Sequence, residues 1–240
     1  MVRRRCPLDK RTSRDHMGLL RRVFQYRKSL SVNRLVAFLG FLLLLIAPAA
    51  GQTADLKLVV LGDSLSAGYR LGPDEGFPEQ LQKALGEKGH SVEVVNAGVS
   101  GDTTTGGLAR LDWSVGEDTD AVIVELGAND ALRGISPEIS RQNIEEIVRR
   151  LRERGIEVLL AGMLAPRNLG PEYAEIFDPI YSEVAKTHGA LLYPFFLEGV
   201  ALDPDLNLSD GMHPNAQGVA VIVERILPKV EELLANAQSS

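Results

Sequence analysis

The sequence predicts one doubly wound α/β domain, a five-stranded parallel sheet with helices on both faces. Three observations lead there. Short apolar runs alternate with stretches of helical spacing along the chain. The runs are apolar nearly throughout, as strands buried on both faces must be. No internal repeat, low-complexity block or linker interrupts residues 54–236.

The elements follow in order. Leu56–Leu61 (LKLVVL) reads as a buried strand that stops at Gly62. Glu79–Leu85 has helical spacing and ends near Gly86 and Gly89. Val92–Val95 is a second strand, closed by Asn96-Ala97-Gly98, and Ala121–Leu126 is a third, closed by Gly127. Pro137 opens a helix that runs through Arg154 on the apolar spacing of Ile139, Ile144, Ile147, Val148 and Leu151, until Gly155 stops it. Ile156–Ala161 and the shorter Ala190–Tyr193 are strands four and five, with a helix over Tyr173–Thr187 between them. A last helix begins at Pro214, where proline suits a first turn, and runs toward Ala235.

In such a sheet, ligands bind beyond the carboxyl ends of the strands, where strand order reverses. Three loops are thereby singled out: Gly62-Asp63-Ser64-Leu65-Ser66, Asn96-Ala97-Gly98 and Gly127-Ala128-Asn129-Asp130. Several chemistries are excluded there. The chain has no nucleotide P-loop, no dinucleotide G-x-G-x-x-G after strand one, no H-E-x-x-H and no cysteine pair. It also lacks the G-x-S-x-G elbow of α/β-hydrolases. No cofactor and no metal is expected.

What the loops do offer is a serine that needs a base. Of four histidines, His16 lies in the N-terminal segment, His90 reads as a solvated loop residue and His188 as a helix C-terminal residue favourable to the dipole. His213 differs, because it sits three residues after Asp210 on one tight turn, where a carboxylate can orient an imidazole. Alone, that pair is a weak signal. Combined with the three strand-end loops, it is strong.

The motifs Gly62–Tyr69 (GDSLSAGY), Gly98, Gly127–Asp130 (GAND), Leu132-Arg133-Gly134 and Asp210–Asn215 (DGMHPN) resemble the SGNH, or GDSL-type, hydrolases over nearly all of residues 56–230. The closest resemblance is to the bacterial branch of acyl-CoA thioesterases, lysophospholipases and arylesterases. It implies a flavodoxin-like fold, with Ser64 as nucleophile, His213 as general base and acid, and Asp210 as the group that holds the imidazole. The implied oxyanion hole is made of the backbone N–H groups of Ser64 and Gly98 and the side-chain amide of Asn129. The physics supports these roles. A serine hydroxyl is a weak nucleophile until a base takes its proton, and donors aimed at the developing oxyanion lower the barrier. Asp63 and Asp130 read as shapers of their turns, and Asp102 with Thr103–Thr105 as a capped helix start. Asn207-Leu208-Ser209 matches a glycosylation sequon.

The segment after strand four, Met163 to Pro171, is rich in apolar residues, glycine and proline. In the resembling branch this region helps to form the acyl groove. Met163, Leu164, Tyr173 and Phe177 are therefore expected to touch substrate, although Ile176 and Phe177 read equally well as helix core. The expected activity is hydrolysis of carboxylic esters or thioesters with an apolar acyl or aryl group through an acyl-enzyme. Two alternatives are a carbohydrate O-acetyl esterase on the same scaffold and a non-catalytic binder of a small ligand.

The N-terminus carries a different message. Eleven of the 26 Lys/Arg and two of the 32 Asp/Glu fall in residues 1–34, which leaves 15 basic against 30 acidic residues for the remainder. An acidic globular part argues against nucleic acid as a partner. Leu35–Ala50 is sixteen uncharged residues, preceded by the basic run and closed by small residues. That pattern is a secretory signal peptide, and it falls short of the roughly 20 residues of a comfortable membrane span. The expectation is export to the periplasm or beyond, with residues 1–50 as the leader and 51–240 as the hydrolase domain. The competing reading is an anchor in the inner membrane through residues 35–50, the only membrane contact expected. Met17 offers an alternative start. The single cysteine, Cys6, lies in this segment, so the domain uses no disulfide. Nothing in the sequence demands more than a monomer.

Overall fold

The computed structural model describes residues 56–239; the expected leader or anchor lies outside them. The sheet is the expected one. β1 (Leu56–Gly62) is followed by two helices, α1 (Ser64–Ala67) and α2 (Phe77–Glu87), and then by β2 (Val92–Gly98). Helices α3 (Thr104–Ala109) and α4 (Leu111–Ser114) lead to β3 (Ala121–Glu125). Next come α5 (Ala128–Leu132), α6 (Pro137–Glu153) and β4 (Glu157–Ala161). Beyond β4 lie α7 (Pro171–Phe177), α8 (Ile180–His188), β5 (Leu191–Tyr193) and the long α9 (Ala216–Ala237). Among the described residues no helix is long and apolar enough to cross a membrane.

All strands are parallel, in the order β2-β1-β3-β4-β5. The chain therefore reverses direction across the sheet after β2. Right-handed crossovers on the two sides of a reversal put helices on opposite faces. α9 packs on α2 and on β4 and β5, whereas α6 packs on α3, α7, α8 and β4. β3, at the centre, is buried at every position; β2, at an edge, is buried only at Val92. The register aligns Gly62 with Gly98 on one side and with Glu125 on the other, so the carboxyl ends of β1, β2 and β3 finish at one level. That alignment gathers the three loops named above.

Several boundaries differ from expectation, two of them for a plain chemical reason. The single helix over Tyr173–Thr187 is two, α7 and α8, separated at Asp178-Pro179. Proline has no N–H to continue a helix. The last helix starts at Ala216 rather than Pro214, because Asn215 caps it: its Oδ1 accepts the N–H groups of Gln217 and Gly218, each at 3.0 Å. Pro214 instead pairs as an isolated bridge with Asn207. The capped helix start read at Asp102 with Thr103–Thr105 is present, with Thr103 as the cap: its side chain accepts the N–H of Gly106.

Gly218, in the first turn of α9, lies against the loop that leads to this bridge. A Cβ there would come within 2.1 Å of the Leu206 carbonyl oxygen, which is backbone and cannot swing away. Gly218→Ala should therefore lower the unfolding free energy by about 1–3 kcal/mol, the usual cost of overpacking, measured as a lower urea midpoint with an unchanged slope.

Candidate active site

β1 ends in a tight turn built on a buried acid. Asp63 is fully buried and caps α1, its Oδ1 accepting the N–H of Leu65 at 3.0 Å. Its Oδ2 accepts from the Asn129 side-chain amide at 2.9 Å. One carboxylate thus ties the loop after β1 to the loop after β3. Ser64, the first residue of α1, is held above this junction. The N–H groups of a first helical turn have no intrahelical acceptor, so the Ser64 N–H is available to a ligand. Gly68 closes the turn in the left-handed region, with φ of 73°.

Beneath Asp63 lies a second buried acid. Glu125, the last residue of β3, accepts the Ser66 hydroxyl at 2.7 Å and the Asp63 N–H at 3.2 Å through the same oxygen, Oε2. Its other oxygen has no hydrogen-bond partner among the described residues. Burial pushes the Glu125 carboxyl well above the usual range, and the neighbouring Asp63 carboxyl pushes it further. Burial likewise raises Asp63 to about 6, although the Leu65 N–H and the Asn129 amide both favour its ionised form. Both acids thus resist ionisation in the folded state.

The loop after β3 begins at Gly127, whose φ of 113° suits glycine alone. A Cβ there would also meet the Tyr181 hydroxyl at 2.2 Å, which donates to the Leu126 carbonyl at 2.8 Å. Asp130 shapes this loop as expected. It accepts the N–H and the hydroxyl of Thr104 and the Ser140 hydroxyl, and so joins α5 to α3 and α6. Gly98, at the end of β2, is a glycine of necessity. A Cβ would lie 2.4 Å from the backbone nitrogen of Ala67 in α1. Its N–H donates to Asn96 Oδ1 at 3.0 Å.

The base arrives from the far end of the chain. Leu208 N–H donates to the His213 carbonyl at 2.7 Å and Asn215 N–H to the Leu206 carbonyl at 2.9 Å, closing a turn just before α9. Within it, Asp210 Oδ1 accepts the N–H groups of Met212 and His213 at 2.9 and 3.0 Å. These two donors, with the imidazole, hold the Asp210 carboxyl down at about 2. Its Oδ2 lies 3.0 Å from His213 Nδ1. A carboxylate only accepts, so the ring proton belongs on Nδ1 and Nε2 is left to accept. Nε2 lies 2.9 Å from Ser64 Oγ. Tyr69 covers the imidazole, with ring centroids 4.5 Å apart.

A cleft of about 370 Å³ opens on this group. Ser64, Asn129 and His213 border it, together with Met163 and Leu164 as expected. Tyr173 and Phe177, also expected to touch substrate, do not line it. The Tyr173 hydroxyl donates to the Ile135 carbonyl at 2.7 Å, and Phe177 is fully buried against Tyr181. Both belong to the core between α7, α8 and the sheet, where the apolar composition of the segment fits equally well. Asn207 of the sequon is also structural. It is buried, and its amide donates to the Val200 and Asp203 carbonyls, each at 2.7 Å. The loop histidine His90 is not simply solvated; it lies 3.1 Å from Glu231 on α9.

Sequence reasoning left several parts of the site unnoticed. Glu125 had one signal, a lone acid in the apolar run AVIVEL. Tyr69 had none beyond its place in the first motif. The cleft mouth also includes Leu132, Leu202 and Met212, all exposed, from three segments far apart in the chain.

The chain was compared with known proteins. A model of the GDSL-like lipase/acylhydrolase family matches residues 60–221. Esterase TesA of Pseudomonas aeruginosa is 42% identical over 194 residues, covering 80% of this chain and 94% of that protein. Thioesterase 1/protease 1/lysophospholipase L1 of Escherichia coli K12 is 38% identical over 197 residues, covering 82% of this chain and 93% of that one. Among solved structures, the SGNH-hydrolase family esterase AlinE4 is 45% identical with a TM-score of 0.63, covering 75% of this chain and 97% of its own.

The buried acids give a signature in stability. A carboxyl whose folded pKa is raised from 3.8 to about 6 favours the folded state only while protonated. Its contribution is present at low pH and is lost as pH rises from about 4 through 6. Asp63→Asn removes this loss. Relative to wild type, the variant's unfolding free energy should therefore improve steadily across that window, measured by urea titrations at half-unit pH steps. A difference that stays flat with pH would mean that Asp63 is ionised in the folded protein without penalty.

Proposed function

We propose a mechanism for a chain that belongs to the GDSL-like lipase/acylhydrolase family: it is a serine esterase that hydrolyses carboxylic esters and thioesters carrying an apolar acyl or aryl group. The reading rests on one observation above all, the unbroken line from Asp210 through His213 to Ser64 Oγ on the edge of an apolar cleft.

In this mechanism the ester carbonyl lies over Ser64 with its chain along Met163, Leu164 and Leu132. Ser64 Oγ attacks the carbonyl carbon while His213 Nε2 takes the hydroxyl proton. Asp210, ionised throughout the neutral range, stabilises the imidazolium and keeps its orientation. The tetrahedral oxyanion is bound by the Ser64 N–H, the Gly98 N–H and the Asn129 amide. Asn129 has two amide hydrogens, and Asp63 takes only one of them. The Gly98 N–H has a single hydrogen, now on Asn96 Oδ1; the oxyanion takes that acceptor's place. Collapse breaks the bond to the leaving alcohol or thiol, which receives the proton from His213. Water then attacks the acyl carbonyl as His213 Nε2 takes its proton; collapse breaks the bond to Ser64 Oγ, which receives that proton, and the carboxylic acid leaves.

The E. coli relative's name joins thioesterase and lysophospholipase activities, and the apolar cleft wall suits the acyl groups that both imply. We further propose that residues 35–50 direct export and that the enzyme works in the periplasm. Coenzyme A thioesters are chiefly intracellular, so for an exported enzyme they would be an incidental substrate. N-terminal sequencing of protein recovered from the periplasm tests this; a chain that keeps residues 35–50 and sediments with membranes would favour the anchor.

The activity itself is tested on p-nitrophenyl esters from acetyl to palmitoyl. Wild type should hydrolyse them, with chains longer than acetyl among the good substrates. Ser64→Ala should lose at least about three orders of magnitude in kcat, as triad residues do. Hydrolysis confined to acetyl esters would favour the sugar-ester reading, and an equally active Ser64→Ala would overturn the mechanism.

A further inference from the structure

A buried arginine stands directly behind the proposed oxyanion hole. Arg110 follows α3 and is 7% exposed. Its guanidinium lies between the carboxyl ends of β1 and β2. Nε donates to Asp102 at 2.6 Å. Nη1 donates to the Ala97 carbonyl at 2.7 Å and to the Ser114 hydroxyl at 3.1 Å. Nη2 donates to the Gly62 carbonyl at 2.8 Å.

The two carbonyls are not arbitrary. A peptide group is planar and trans, so its C=O and N–H point in opposite directions and turn together. The Gly62 carbonyl shares its plane with the Asp63 N–H, which Glu125 already holds. The Ala97 carbonyl shares its plane with the Gly98 N–H. Pairing with β1, where Ala97 and Gly98 stand opposite Leu61 and Gly62, holds that second plane from one side only. β2 is an edge strand, and among the described residues no strand lies beyond it. Residue 98 has no side chain, and its N–H donates to the Asn96 side chain. Arg110 is the buried anchor of this peptide.

We propose that Arg110 is a positioning residue for catalysis: by bridging the Ala97 and Gly62 carbonyls it aims the Gly98 N–H at the acyl oxygen and fixes its distance from Ser64. This rests on the mechanism above, in which Gly98 is an oxyanion donor. The task suits arginine alone. A guanidinium presents five donors in a rigid planar fork, whereas an ammonium presents three from one atom. Lysine at 110 could keep the pair with Asp102 but could not bridge two strands as well. Asp102 fixes the fork from the third side and neutralises a charge that burial alone would not tolerate.

Arg110→Lys is the first test, read by p-nitrophenyl butyrate kinetics, thermal midpoint and two inhibitors. A butyl boronic acid becomes a tetrahedral anion on Ser64 and needs the oxyanion donors; butyrate, the planar product, needs them far less. A folded Arg110→Lys should lose about 10- to 100-fold in kcat, part of the loss expected for a missing donor. Its KM should stay within about threefold. Boronate inhibition should weaken in proportion to the kcat loss, while butyrate inhibition is unchanged. A folded variant that keeps its kcat, or in which KM and both inhibition constants move together, overturns the proposal. If Arg110→Lys does not fold, Asp102→Asn decides. It loosens the fork without removing it and should show the same selective pattern at smaller amplitude; unchanged boronate inhibition would overturn the proposal. An active Ser64→Ala would remove the mechanism and this inference together. An inactive Ser64→Ala beside an unaffected Arg110→Lys would remove this inference alone.

Discussion

The candidate site depends on one buried carboxyl group. Asp63 caps the helix that presents Ser64, and with its other oxygen it holds the amide of Asn129. A side chain able to do both must be short, must accept from two directions and must sit where three strand ends meet. Burying an acid there is unfavourable unless it is hydrogen-bonded on both oxygens, and that is the arrangement found. The fully buried Glu125 repeats the arrangement one layer down, with one oxygen satisfied and the other not. The floor of the cleft is therefore a polar cluster inside an otherwise apolar sheet, whose acids take up protons more readily than exposed carboxylates do.

The rest of the fold reads as the means of assembling that cluster. The register places Gly62, Gly98 and Glu125 side by side. Glycine at 98 lets β2 pack on the back of α1 without a clash, where any Cβ would strike backbone. The two halves of the site are tuned in opposite directions. Burial raises Asp63 and Glu125, while backbone N–H groups in a half-exposed turn lower Asp210. Acids in one small site thus serve as hydrogen-bonded framework below and as fixed negative charge beside the imidazole.

Much of this was legible in the sequence. Alternating apolar runs were enough for the five strands, because strands buried on both faces leave a pattern no surface helix copies. The motifs around Ser64, Asn129, Asp210 and His213 point to one cleft, since each follows a strand or precedes a helix at the same sheet edge. What could not be read depends on contacts between distant segments. Arg110 occupies a run, LARLDW, that has the look of an amphipathic turn; only the fold brings it to the Gly62 and Ala97 carbonyls. Tyr173 and Phe177 have the composition of a groove wall, yet Phe177 is buried in the core and Tyr173 packs against it. Composition reports that a side chain is apolar, not which apolar neighbour it meets.

The turn that carries His213 also sets when the site can exist. Ser64 and His213 are 149 residues apart in the chain, and the base stands just before the last helix. A nascent chain carries a complete nucleophile loop long before it has a proton acceptor. The hydroxyl stays chemically inert until β5 has paired and α9 has docked, because nothing nearer in sequence can replace the imidazole. Competence is thus withheld until the segment that carries His213 and α9 has been made and packed, and turnover reports on the whole domain rather than on any part of it.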